Sequence, residues 1–242
     1  MGQWETTLAN KIEDLPSIVK SAKKFNDKYS SYLQRYKGGM PRGFFAAIAA
    51  IESDGKMIEG DPDLGEYGFF QITAKMPTDY GLKSELRKTA EGNIFLAGLE
   101  YNVEAKRLKL KYPNLIVEGT ADQWKLARLV FAIGKYGVDT CIKHAKPMVP
   151  GRVFEALETW ADETGAIAIG SSPAGKIRMR IKLVSKVAWE AGKQVTYQSN
   201  GMPVKVPAPS GISYTLPKSI RPFLHEENSS LLLVGMALLL LF

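Results

Sequence analysis

A chain of 242 residues, 45% of them hydrophobic and 24% charged, is long and apolar enough to bury one real core with a small appendage, which excludes wholesale disorder. The single cysteine, Cys141, excludes an internal disulfide framework, so the fold must stand on packing alone. A formal charge of +7 and a pI of about 9.3 favour an anionic partner such as nucleic acid, a phospholipid surface or the acidic polymers of a bacterial wall, with simple solubility as the alternative.

Met1 to Asn10 lacks the basic-then-apolar pattern of a cleaved secretory signal, so none is expected. Pro16 to Lys37 reads as one helix: Pro16 suits a first turn, and Ile18, Ala22, Phe25, Tyr29, Leu33 and Tyr36 recur at helical spacing before Gly38-Gly39. A second helix begins near Pro41, and its run from Phe44 to Ile51 is apolar nearly all round, as expected of a helix buried mid-domain; it delivers Glu52. Ser53 to Tyr67 is loop-like. Helices are predicted again over Glu91 to Lys111, from the Thr120-Ala121-Asp122-Gln123 capping box onward, over Val153 to Glu163 and over Lys176 to Ala191. On the last of these, Ile177, Ile181, Val184 and Ala188 form an inner stripe, while Lys176, Arg178, Arg180, Lys182 and Lys186 read as a solvated basic face.

Beyond that helix the composition changes. Residues 195–230 carry five prolines (203, 207, 209, 217 and 222) with scattered Gly and Ser, the pattern of an extended strap or linker. Leu231 to Phe242 is apolar throughout; as a helix it would be about 18 Å long against a hydrocarbon core of about 30 Å. It therefore reads as a membrane-surface or partner-docking tail, a buried terminal helix or a marginal tail anchor.

Burial disfavours the charged form of a carboxyl group, the condition for a general acid near neutral pH, and Glu52 ends a helix that is apolar on every side. A glutamate at a helix end more often keeps its head in water, and it is the neighbouring segments that single this one out. Ala47-Ile48-Ala49-Ala50-Ile51-Glu52-Ser53, Gly68-Phe69-Phe70-Gln71-Ile72-Thr73, Asn93-Ile94 with Gly98 and Tyr101, and Leu126 to Gly134 follow in order at workable spacing. Together they resemble the motifs of the Slt-type lytic transglycosylases and their goose-type lysozyme relatives: a helix ending in Glu-Ser, a Gly-Leu-Met-Gln-Ile turn, a helix bearing Asn-Ile, Gly and Tyr, and a closing Ala-Ala-Tyr-Asn-x-Gly. The resemblance covers about residues 44–137. Phe131 and Ala132 stand where the family has Tyr and Asn, so a hydroxyl and an amide near the glutamate are absent.

The resemblance implies a mainly α, lysozyme-like domain over residues 1–194 with a small or absent β element, followed by the strap and the apolar C-terminal tail. It implies that the chain cleaves the bond between N-acetylmuramic acid and N-acetylglucosamine in bacterial peptidoglycan. Glu52 would be the catalytic acid, and Ser53, Phe70, Gln71, Tyr101 and Phe131 would hold the substrate. In the lytic branch the same glutamate accepts a proton from the muramoyl 6-hydroxyl, closing a 1,6-anhydro ring without a second carboxylate, unlike most glycosidases. No metal or other cofactor is expected. A wall-degrading enzyme lacking a signal peptide is expected in a phage virion or the host envelope, serving host entry or lysis. Contact with membrane or virion shell would run through the tail. The alternatives are an endopeptidase cutting peptide crosslinks on the same scaffold and a non-catalytic wall-binding virion protein.

Other signals carry less. Gly170 to Lys176 has phosphate-loop spacing, but Ile177 replaces the Ser or Thr that would hold magnesium, and a turn is the better reading. Glu59, Asp61, Asp63 and Glu66 fit no calcium loop and read as a solvated acidic stretch. Cys141 with His144 invites a thiol-peptidase or zinc reading, yet His225 is the only other histidine. The basic helix after Lys176 lacks interleaved aromatics, so nucleic acid is not the expected partner.

Overall fold

The computed structural model describes residues 3–164 and 174–195. The apolar tail 231–242, the strap beyond Val195 and most of the Gly170–Lys176 segment lie outside the described residues.

Among the described residues the chain is mainly helical: α1 (Gln3–Glu13), α2 (Leu15–Lys28), α3 (Ser30–Tyr36), α4 (Arg42–Ser53), α5 (Lys75–Asp79), α6 (Ala90–Lys111), α7 (Ala121–His144), α8 (Val153–Thr164), α9 (Ala174–Lys182) and α10 (Trp189–Gln194). A 3-10 turn over Ser84–Lys88 precedes α6, and a π-helical segment over Leu183–Ala188 joins α9 to α10. The β element is confined to two isolated antiparallel bridges, Glu59 with Tyr67 and Tyr67 with Ile72.

Helix α4 is the hub. Phe44 to Ala50 are all buried, as its unbroken apolar run predicts, and α2, α3, the π segment and α10 pack around it. The approach of α10 is as close as backbones allow: a Cβ on Gly43 would lie 2.3 Å from the Gly192 carbonyl oxygen, and one on Gly192 would lie 2.7 Å from Phe44 Cα. Trp189 then meets Phe44 ring to ring at 4.9 Å. Ile177, Ile181, Val184, Val187 and Ala191 share one apolar cluster with α4, so residues 174–195 belong to the domain core.

Three features depart from the pattern. The single helix expected over Pro16–Lys37 is two, broken at Tyr29 (φ −118°, ψ 24°), where the tyrosine ring packs 4.9 Å from both Phe25 and Phe69. Helix α1 carries only a thin apolar stripe, with Leu8 half-buried and Ile12 exposed, and periodicity gave no sign of it. In α7, Gly134 leaves the helical region altogether (φ 78°, ψ 164°), a conformation open to glycine. The cap of α7 forms with a shift: Thr120 Oγ1 accepts from Gln123 N at 3.4 Å, while Gln123 Oε1 accepts from Gly119 N, one residue before the usual partner.

Candidate functional site

Helix α4 is stopped immediately after Glu52-Ser53. Asp54 adopts the left-handed conformation (φ 55°), its N–H reaching Ala50 O at 2.9 Å, and Gly55 N reaches Ala49 O at 3.1 Å. Ser21 on α2 donates to the Asp54 carboxylate and Lys56 pairs with it at 2.8 Å. These two donors hold the Asp54 carboxyl below its usual range, and the anchored cap fixes the direction in which Glu52 leaves the helix.

A tight turn over residues 67–72 is fastened beside that helix end. Tyr67 and Ile72 exchange backbone hydrogen bonds of 3.1 and 3.0 Å. Ser53 Oγ lies 2.9 Å from Phe69 O and 3.1 Å from Ala49 O, and its one proton serves either carbonyl. Fully buried Asn93, on α6, accepts from Phe70 N at 3.1 Å and donates to Tyr67 O at 3.0 Å and Arg87 O at 2.9 Å. Aromatic rings continue the link: Phe70 to Phe45 at 4.7 Å, Phe45 to Tyr101 at 6.0 Å and Tyr101 to Phe131 at 5.4 Å. The four segments singled out in the sequence thus meet around the end of α4.

Glu52 itself faces α7. Its Oε1 accepts from Arg128 Nη2, with the glutamate side chain 18% exposed and the arginine 7%. The Arg128 guanidinium also sits 5.3 Å from the Phe131 ring centre. The pair lines a small crevice, about 20 Å³ in volume, whose walls come from Ile48 and Ile51 of α4, Ala132 of α7, and Arg180, Leu183, Val184 and Ala188 of the C-terminal helices. That space admits a water molecule but not a sugar ring. Among the described residues Glu52 is the only acidic side chain lining it.

No family model, curated protein or solved structure matches this chain.

The residues expected to hold substrate divide by exposure. Ser53, Phe70 and Tyr101 are buried, Gln71 is 8% exposed, and Glu52 and Phe131 are half-buried, with Glu52 but not Phe131 lining the crevice. Gln71 sits at φ 51° and spends its amide on Gly68 O at 2.7 Å, closing the turn. In this conformation Ser53, Phe70 and Gln71 shape and lock the turn. Tyr101 Oη has no hydrogen-bond partner among the described residues. Burial pushes its phenol above the usual range, Arg128 opposing and Glu52 and Glu100 adding to the effect.

Arg128 and Arg180 escaped the sequence reading because each looks like an ordinary helical cation. The basic face of α9 is not uniformly solvated either. Lys182 is buried and pairs with Asp162 at 2.6 Å, Arg178 pairs with the same carboxylate at 3.2 Å, and Arg180 turns to the crevice. The acidic loop is ordered by its own carboxylates, with Asp63 N reaching Asp61 Oδ1 at 2.9 Å and Asp61 N reaching Glu66 Oε2 at 3.3 Å. No cluster of metal-ligating side chains occurs among the described residues. Cys141 is fully buried and its thiol is pushed up to about 12, the opposite of an activated nucleophile, while His144 is exposed.

A second charged group lies along α6. Glu104, with no exposed surface, pairs with Arg107 at 2.5 Å and Lys135 at 3.1 Å, and Arg107 reaches Asp139 at 3.4 Å. Nearby, Tyr80 donates its hydroxyl to Glu100, whose carboxyl is raised above its usual range, chiefly by burial.

Proposed function

We propose that this chain cleaves the glycan strands of bacterial peptidoglycan at the N-acetylmuramic acid to N-acetylglucosamine bond, with Glu52 as the acid. The observation that carries the reading is the convergence just described: four segments far apart in sequence, each resembling a motif of one muralytic family, assemble around a single carboxylate at a helix end. Ser53, Asn93 and the ring series from Phe70 to Phe131 fix the 67–72 turn against the end of the helix that carries it.

In this reading Glu52 protonates the bridging oxygen as the bond to the anomeric carbon breaks. The resulting carboxylate then takes the proton of the muramoyl 6-hydroxyl as that oxygen closes on the anomeric carbon. One side chain serves both steps, which accords with Glu52 being the sole acid lining the crevice among the described residues. The contact with Arg128 must open for the first step, so that the Glu52 carboxyl can turn from the guanidinium to the bridging oxygen. That pair is also what favours the second reading, a wall-binding protein that keeps the scaffold without turnover.

Digesting purified peptidoglycan with the whole chain and weighing the new ends separates the readings. Anhydro-muramoyl ends support the proposal, ends heavier by one water indicate hydrolysis, and new amines without new sugar ends indicate peptide cleavage. Sedimentation with the wall but no new ends indicates binding alone.

A further inference from the structure

We propose that the crevice beside Glu52 is a carboxylate-binding subsite, built by Arg128 and Arg180, that receives an acid group carried as an appendage of the glycan. The inference rests on the muralytic reading and names what the site recognises besides the sugar ring.

The crevice holds two guanidiniums and one carboxylate, so it is one negative charge short. Arg128 is engaged through Nη2 with Glu52, yet its Nη1 is buried and has no acceptor among the described residues. Arg180 is half-buried, lines the same space and has no ion pair among the described residues, although the nearest cations on either side of it, Arg178 and Lys182, are both paired with Asp162. A guanidinium offers five donors in a planar fork that matches the two oxygens of a carboxylate. The other walls, Ile48, Ile51, Leu183, Val184 and Ala188, are apolar, which strengthens an ionic contact by excluding water.

Peptidoglycan supplies this chemistry from two sources, the lactyl carboxylate of a peptide-free muramoyl unit and the carboxylates of a stem peptide. Either one, arriving between Arg128 and Arg180, fills the vacant donors and competes with Glu52 for Arg128. Glu52 is then released next to the bond to be cut, so recognition of the appendage and readiness of the acid become one event.

Titration of the whole chain with muramyl dipeptide, its carboxamide form in which both peptide carboxyls are amidated, and N-acetylmuramic acid tests this. The acid form is expected to bind at least 10-fold more tightly than the carboxamide. R180Q is expected to erase that difference and R180K to keep part of it, with unchanged melting temperatures. Tight binding of N-acetylmuramic acid assigns the lactyl group, and preference for the dipeptide assigns the stem; both support the subsite. Failure of all three to bind, equal affinity for acid and carboxamide without tight binding of N-acetylmuramic acid, or full discrimination by a folded R180Q overturns it. Carboxylate discrimination by a chain that makes no glycan cuts would refute the muralytic reading and leave the subsite standing.

Discussion

Arg128 on α7 and Glu52 at the end of α4 stand 76 residues apart in sequence and share one hydrogen-bonded ion pair. Among the described residues this contact is the only charged link between the hub helix and α7 at the crevice, and it ties the candidate acid's chemistry to the domain's stability.

Replacing Glu52 by Gln keeps an oxygen for Arg128 but removes both the charge and the transferable proton. Release of new glycan ends should fall by about 100-fold or more. Thermal stability should fall too, because a charge-assisted bond worth about 1.5–3 kcal/mol becomes an ordinary one. Melting curves beside the digestion assay check both, and a folded variant that keeps most of its cleavage refutes Glu52 as the acid.

Replacing Asn93 by Leu keeps the branching of the side chain and removes three hydrogen bonds, leaving Phe70 N and Arg87 O without their Asn93 partner while Tyr67 O keeps Ile72 N. At about 1 kcal/mol for each bond, with more where a buried group stays unpaired, the loss should be about 3 kcal/mol or larger. Denaturant unfolding measures it. Amide exchange at Phe70 should quicken more than exchange within α6.

The helix that ends in Glu52 was readable in the sequence because an uninterrupted apolar run allows few fates besides a central helix, and because turn residues follow it at once. Asn93, Gly98 and Tyr101 were readable for the same reason: they recur on one helix. Arg128 and Arg180 were not. Pairing across α4, α7 and α9 depends on how three helices cross, and nothing local distinguishes a cation aimed at a crevice from one aimed at water. The break at Tyr29 was hidden because periodicity continues in phase through it, and the order within residues 58–74 because it comes from carboxylate-to-backbone bonds that composition reads as solvated loop.

Glu100 gives a pH signature. Its carboxyl is raised in the fold, chiefly by burial, so its ionisation works against folding. The stability it permits is complete below the unfolded value of about 4.3 and is lost as pH rises through the folded value. E100Q, which still accepts from Tyr80, should therefore melt higher than the native chain at pH 7 and equal to it near pH 4. Melting at both values decides, and a variant less stable at pH 7 would show that the Tyr80 hydrogen bond and the charge of Lys135 outweigh burial.

Adding a methyl group at Gly43 drives a Cβ against the Gly192 carbonyl, backbone against backbone, with no flexible side chain to yield. G43A should cost about 1–3 kcal/mol through overpacking and push α10 from α4. Since Leu183, Val184 and Ala188 sit just before α10, the crevice should widen, read as faster amide exchange across the π segment.

The crevice walls lie at residues 48–52, 128–132 and 180–188 along the chain, so its parts are made in three instalments during synthesis. The candidate acid is complete when barely a fifth of the chain exists, and the wall that holds Arg180 comes last. A nascent chain stalled before α9 carries Glu52 and Arg128 with one side of their pocket missing. Appendage recognition thus arises only late in translation, long after the acid has been placed.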